Sequence, residues 1–197
     1  MKKTDGLISL IIGFFIGVFF FIILKSTDII IPYSWVLIIV FPFLALIGMF
    51  VASWLGKKFL IIFQAGKFVM VGALNTFIDL GVLNLLMLFF GVASGLFFAV
   101  FKGISFLVAT TNSYFWNKHW TFQKREKVFS SQEFYKFLIV TTIGLFINVG
   151  VASFVFSKVS PWFEVSLEMW GTIGAVTAAL IAWVWNFLSS KFIVFKS

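Results

Sequence analysis

The chain has 197 residues, of which 61% are hydrophobic and 11% charged, against about 45–50% and about 25% in a soluble domain. An aqueous fold is therefore excluded for most of it, and the absence of cysteine removes disulfides, thiolate catalysis and cysteine-bound metal. A net charge of +8 would suit nucleic acid, but the lysines fall between apolar runs, so the charge reads as membrane topology and no nucleic-acid partner is expected.

A spanning helix needs about 20 largely apolar residues. Six runs meet this: 7–24, 33–55, 68–90, 96–116, 137–156 and 169–188. The fold class expected is an all-α integral membrane protein of six transmembrane helices. The breaks carry charge, proline or glycine, at 25–32, 56–67 (basic), 91–95 (a tight small-residue turn), 118–136 and 158–168. MKK precedes the first run, but KSTD follows it, without a small-x-small cleavage site, so that run reads as a retained helix. Its Gly13 and Gly17 form a GxxxG face for close packing. In the second run Pro42 predicts a kink. With the amino terminus inside, twelve lysines and arginines (Lys2, Lys3, Lys57, Lys58, Lys67, Lys118, Lys124, Arg125, Lys127, Lys136, Lys191 and Lys196) face the cytosol. Lys25 and Lys158 face outward, and Lys102 lies within a span. This bias places both termini in the cytosol.

The last four runs repeat. SYFWNKHWTF (113–122) aligns with NFLSSKFIVF (186–195), so that Ser113 meets Asn186, Asn117 meets Ser190, Lys118 meets Lys191 and Phe122 meets Phe195. Upstream, KFVMVGALNTFID from Lys67 aligns with KFLIVTTIGLFIN from Lys136, with Asp79 over Asn148. The expected organisation is an added hairpin (1–63) followed by a four-helix domain (64–197) built of two parallel repeats, 64–123 and 133–197. Ser130 and Glu133 have capping-box spacing, which predicts either a short interfacial helix or an ordinary helix start.

Charges within spans are expensive and point by default to function. Folding the third and fourth runs about 91–95 leaves Lys102 and Asp79 about five residues apart in depth, or about 7 Å, within reach of a lysine. The pair is either an ion pair that stabilises the hairpin or a cationic anchor for a lipid phosphate, Lys102, held in place by Asp79. Asn75 shares a helix face with Asp79, Ser113 with Asn117, and Asn186 with Ser190. With Asn112, these side chains form polar stripes that can hydrogen-bond a sugar or phosphate, or join helices. Asn84 and Asn148 read as such joints. Lys118 and Lys191 read as topology anchors, or as the cytosolic pair that receives a phosphate headgroup. His119, the only histidine, reads as a plain interfacial residue. Gly171, Ala175, Ala178 and Ala182 give the last run a face for tight helix contact, within the chain or between copies of it.

The segments 67–79 and 112–122, and more weakly 186–195, resemble the GtrA-like family of small polytopic proteins. The resemblance spans roughly 63–196, with Ser190 and Ile193 standing where the family has asparagine and tryptophan. It implies four spans and a role in cell-surface polysaccharide or teichoic-acid glycosylation at the bacterial plasma membrane. The implied activity is to flip, or help present, a polyprenyl-phosphate-linked sugar such as one carried on undecaprenyl phosphate. No DxD pair, GxxxxGK loop or GxSxG elbow occurs, so neither an enzyme nor a metal or cofactor is expected. The candidate substrate-binding residues are Lys102, Asp79, Asn75, Asn112, Asn117, Lys118, Asn186 and Lys191. The alternative function is a membrane anchor that recruits a glycosyltransferase partner, and the expected partners otherwise are membrane lipid and a second copy of the chain.

Overall fold

The computed structural model describes residues 1–26, 31–92, 94–124, 129–159, 161 and 166–196, without the side chains of Ser26 and Glu168. The topology charges Arg125 and Lys127 and the turn charges Asp28 and Glu164 lie outside the described residues. Six long helices make up almost all of what is described: α1 (Lys3–Ser26), α2 (Leu37–Leu55), α3 (Leu60–Phe90), α4 (Gly95–Trp116), α5 (Ser131–Lys158) and α6 (Leu167–Ser189). All six are long and apolar enough to cross a membrane, the form in which a chain satisfies its backbone polar groups without water. The chain is a multi-pass membrane protein of two compact units, Met1–Gln123 and Lys124–Ser197.

In the first unit the GxxxG face of α1 meets the backbone of α2. A Cβ at Gly13 would lie 2.5 Å from the Phe41 carbonyl oxygen, and one at Gly17 would lie 2.7 Å from Ile38 Cα. Only glycine permits that approach. Ile12 and Ile16 of α1, Met49 of α2, and Val71, Leu74 and Ile78 of α3 close the core with Ala109 and Trp120. Phe20, Phe41 and Phe77 join α1, α2 and α3 by ring contacts of 5.4–6.2 Å. Helices α1 and α2 thus pack on α3 by apolar side chains.

Helix α3 begins at Leu60, inside the stretch read from sequence as a basic break. The charge that argued for a break, Lys67, is 1% exposed and is met by Asp5, so the helix carries it without loss. Gly91 ends α3 and Gly95 opens α4, both at φ +66°, the left-handed region that favours glycine. In the second unit α5 is one continuous helix that begins directly after its cap, the ordinary helix start of the two expected. Its Ser130 cap accepts the Glu133 N–H at 3.3 Å. The small face of α6 is also shifted: Gly174, Ala178 and Ala182 are buried while Ala175 is exposed, and Gly174 lies against Ala152 and Val155 of α5.

Both repeats leave their last helix through a π turn. Asn117–Thr121 follows α4 and Ser190–Val194 follows α6. The Phe122 N–H donates to the Asn117 carbonyl at 2.9 Å, and the Phe195 N–H to the Ser190 carbonyl at 2.8 Å. Such turns are rare and gather at functional sites.

Candidate functional site

The α3–α4 hairpin brings three polar side chains together within its spans. Asp79 stands on α3, and Lys102 and Ser105 stand three apart on one face of α4. The Lys102 ammonium donates to Asp79 Oδ2. Ser105 Oγ lies 2.6 Å from Asp79 Oδ1 and 3.0 Å from the Lys102 carbonyl. Ser105 is fully buried, so the carboxylate is pinned from the protein side, whereas the Lys102 side chain is 43% exposed. The cluster therefore has a closed back and an open, cationic front. Sequence reasoning passed over Ser105; its spacing from Lys102 was the available signal.

A second polar set lies further along the same two helices. The Trp116 indole N–H donates to Asn112 Oδ1 at 3.1 Å, and Asn112 Nδ2 donates to Asn75 Oδ1 at 2.8 Å. This chain joins α3 to α4 and leaves Asn75 Nδ2 buried without a partner in the protein. On the following π turn Asn117 Nδ2 donates to Ser113 Oγ at 3.2 Å. Asn117 Oδ1 and Thr121 Oγ1 are likewise buried and unanswered. Asn84 donates to the Leu80 carbonyl of its own helix at 2.8 Å, a bond within α3 and not between helices.

Lys118 departs from its reading as a headgroup anchor. It is fully buried, donates to the Tyr114 hydroxyl at 3.2 Å, and lies 5.5 Å from that ring. The wider π turn accounts for this, because it sends Asn117 and Lys118 inward together, followed by Trp120 and Thr121. His119 points out and stacks on Phe115 at 6.2 Å.

In the second unit Asn186 presses on Gly144 of α5, with Asn186 Oδ1 buried and unanswered. Ser190 is buried, and Lys191 is half-buried over the Phe192 ring at 5.5 Å. Of the residues singled out in the sequence, Asp79 joins Lys102, Asn75 joins Asn112, and Asn117 and Lys118 share one turn. Asn186 and Lys191 lie in the other unit, on α6 and on the π turn that follows it.

One ionic cluster was not foreseen. Asp5 of α1 reaches Lys67 of α3 and the Trp120 indole N–H, with both charges buried. Among the described residues no group of three His, Cys, Asp or Glu side chains is placed to hold a metal ion.

The stretch that contains the α3–α4 hairpin, both π turns and the repeated helices, residues 67–195, matches the family model described as GtrA/DPMS, transmembrane domain. The chain belongs to this family. No curated protein and no solved structure matches it significantly. GtrA/DPMS domains are associated with the translocation of polyprenyl-linked sugars, a flippase type of work rather than that of a classical enzyme. The match begins at Lys67, so α1 and α2 lie outside the GtrA/DPMS domain, while the two clusters of the α3–α4 hairpin lie wholly within it.

Proposed function

We propose that the protein moves a polyprenyl-phosphate-linked sugar across the bacterial plasma membrane for cell-envelope polysaccharide or teichoic-acid glycosylation, without hydrolysing a nucleotide. The observation that carries this reading is the open Lys102 ammonium held by Asp79 and Ser105 within the spans. An ammonium in a low-dielectric setting binds phosphate more strongly than in water, and a lysine serves as a point-charge ligand for phosphate. Asp79 keeps Lys102 aimed when no cargo is present. A lipid phosphate then takes over part of the lysine's bonding while Ser105 holds the carboxylate. The polyprenyl tail stays in lipid throughout.

Asn75, Asn112 and Asn117 suit the sugar. The unanswered Asn75 Nδ2 is a donor and Asn117 Oδ1 an acceptor, and a sugar hydroxyl answers either. Asn186 Oδ1 offers a further acceptor in the second unit. Of the two exit lysines, Lys191 is the more open for a headgroup, and burial beneath Tyr114 speaks for Lys118 as an internal support. Net direction would follow from consumption of the sugar on the far side.

The test is reconstitution into liposomes that carry a polyprenyl-phosphate sugar. Accessibility of the sugar on the far leaflet should rise with the protein, and Lys102→Ala should abolish the rise. Normal movement by that variant would remove Lys102 from the site. A pure protein that moves nothing alone, yet co-purifies with a glycosyltransferase, would replace this reading with that of a recruiting anchor.

A further inference from the structure

Lys67 and Trp120 belong to the matched domain, whereas the carboxylate that joins them comes from outside it. The Lys67 ammonium lies 2.5 Å from Asp5 Oδ1, and the Trp120 indole N–H donates to the same oxygen at 3.1 Å. Asp5 Oδ2 takes the backbone N–H of Lys2 at 3.0 Å. The side chains of Lys67 and Asp5 are 1% and 3% exposed. Aromatic faces wall the ammonium, with the Phe63 ring at 4.5 Å and the Trp120 ring at 5.1 Å. Without the carboxylate, the domain would present an ammonium and an indole N–H converging on one point inside an apolar shell. Such an arrangement requires an anion, because a buried charge without a partner is strongly destabilising. The fold itself does not impose it. At the equivalent places of the second repeat stand Lys136 and Ile193, both exposed, and isoleucine brings no donor.

We propose that Lys67 and Trp120 of the membrane domain, walled by Phe63 one turn earlier on α3, form a phosphate socket, and that Asp5 of α1 is its built-in occupant. The ligand class is a phosphomonoester or phosphodiester, from a lipid headgroup or from free phosphate. Phosphate offers these two donors the same charge-assisted hydrogen bonds as a carboxylate, with more acceptor oxygens. The socket is distinct from the Lys102 cluster, since Asp79 stands twelve residues further along α3, about 18 Å at about 1.5 Å per residue. It therefore stands or falls apart from the transport reading. Its consequence is regulatory: a phosphate that takes the socket displaces Asp5 and frees the first turn of α1.

The experiment uses the full chain in dodecyl maltoside, with dodecyl phosphate and inorganic phosphate as probes and thermal unfolding as the readout. D5N removes the charge and keeps the shape. D5N should melt below the wild type and recover by about 5–10 °C with a phosphate probe well above its Kd. The wild type should barely respond, and D5N/K67M should melt above D5N and ignore the probe. A response to dodecyl phosphate alone assigns the socket to lipid headgroups, and a response to both probes assigns it to phosphate in general. If D5N cannot be recovered folded, extraction in dodecyl phosphate becomes the readout, and recovery there supports the socket. The proposal is overturned if neither probe stabilises or recovers D5N, or if the wild type responds as strongly as D5N. It is overturned equally if the response survives K67M, or if the double variant is no more stable than D5N.

Discussion

The two repeats share a packing frame and differ in what they hang on it. The closing phenylalanine meets the leading one in each, Phe122 on Phe68 at 6.2 Å and Phe195 on Phe137 at 5.8 Å. Val71 and Val140 are buried at equivalent places, as are Ala109 and Ala182. Each repeat ends in a π turn. Polarity diverges between these fixed points. Buried Ser105 faces Asp79 in the first repeat, and buried Ala178 takes its place in the second. Asn75 answers Asn112 in the first, whereas Gly144 admits Asn186 in the second. Lys102 has Ala175 as its counterpart. In lipid, small and aromatic residues decide how helices meet, which leaves the polar positions free to change without disturbing the frame.

If chemistry resides in the first repeat alone, Lys102→Ala should lose essentially all lipid-linked sugar movement, while Ala175→Ser should stay within about twofold of wild type. Equal losses in the liposome assay would erase the distinction. The next largest effect concerns the frame. Gly144→Leu must displace the Asn186 amide and should cost about 2–4 kcal/mol in detergent unfolding. Gly150→Ala, where nothing lies within 4 Å, should be close to neutral. Making the first repeat resemble the second by Ser105→Ala should cost about 1–2 kcal/mol and reduce transport partially, because Asp79 loses its pin while keeping Lys102. The smallest effect belongs to the asparagine bridge. A double-mutant cycle over Asn75→Ala and Asn112→Ala should give a coupling of about 0.6 kcal/mol, the usual size for a hydrogen bond between membrane helices.

The six spans were legible because lipid allows few alternatives to an apolar helix of sufficient length. Their ends were not. Lys67 read as punctuation because its compensating charge lies 62 residues away, beyond any local pattern. Lys118 read as an anchor because a lysine after an apolar run normally is one, and nothing in the residue pattern marked the π turn that carries it inward. The reach of Lys102 to Asp79 followed from helix rise alone, since both ends of that hairpin are set by its glycines. Regular spacing put Ala175 on the face for helix contact, within the chain or between copies; within the chain the helix buries Gly174 and leaves Ala175 exposed.

The Asp5–Lys67–Trp120 cluster also bears on how the protein is made. Asp5 leaves the ribosome 62 residues ahead of Lys67 and 115 ahead of Trp120. At about 5–20 residues per second, the carboxylate waits about 3–12 s for its lysine, and roughly as long again for the indole. A bare carboxylate is too costly to bury for that time. The first turn of α1 must therefore stay at the water interface, or in the care of the insertion machinery, until α3 arrives. Final seating of α1 is then a late event in biogenesis, although α1 is synthesised before α3.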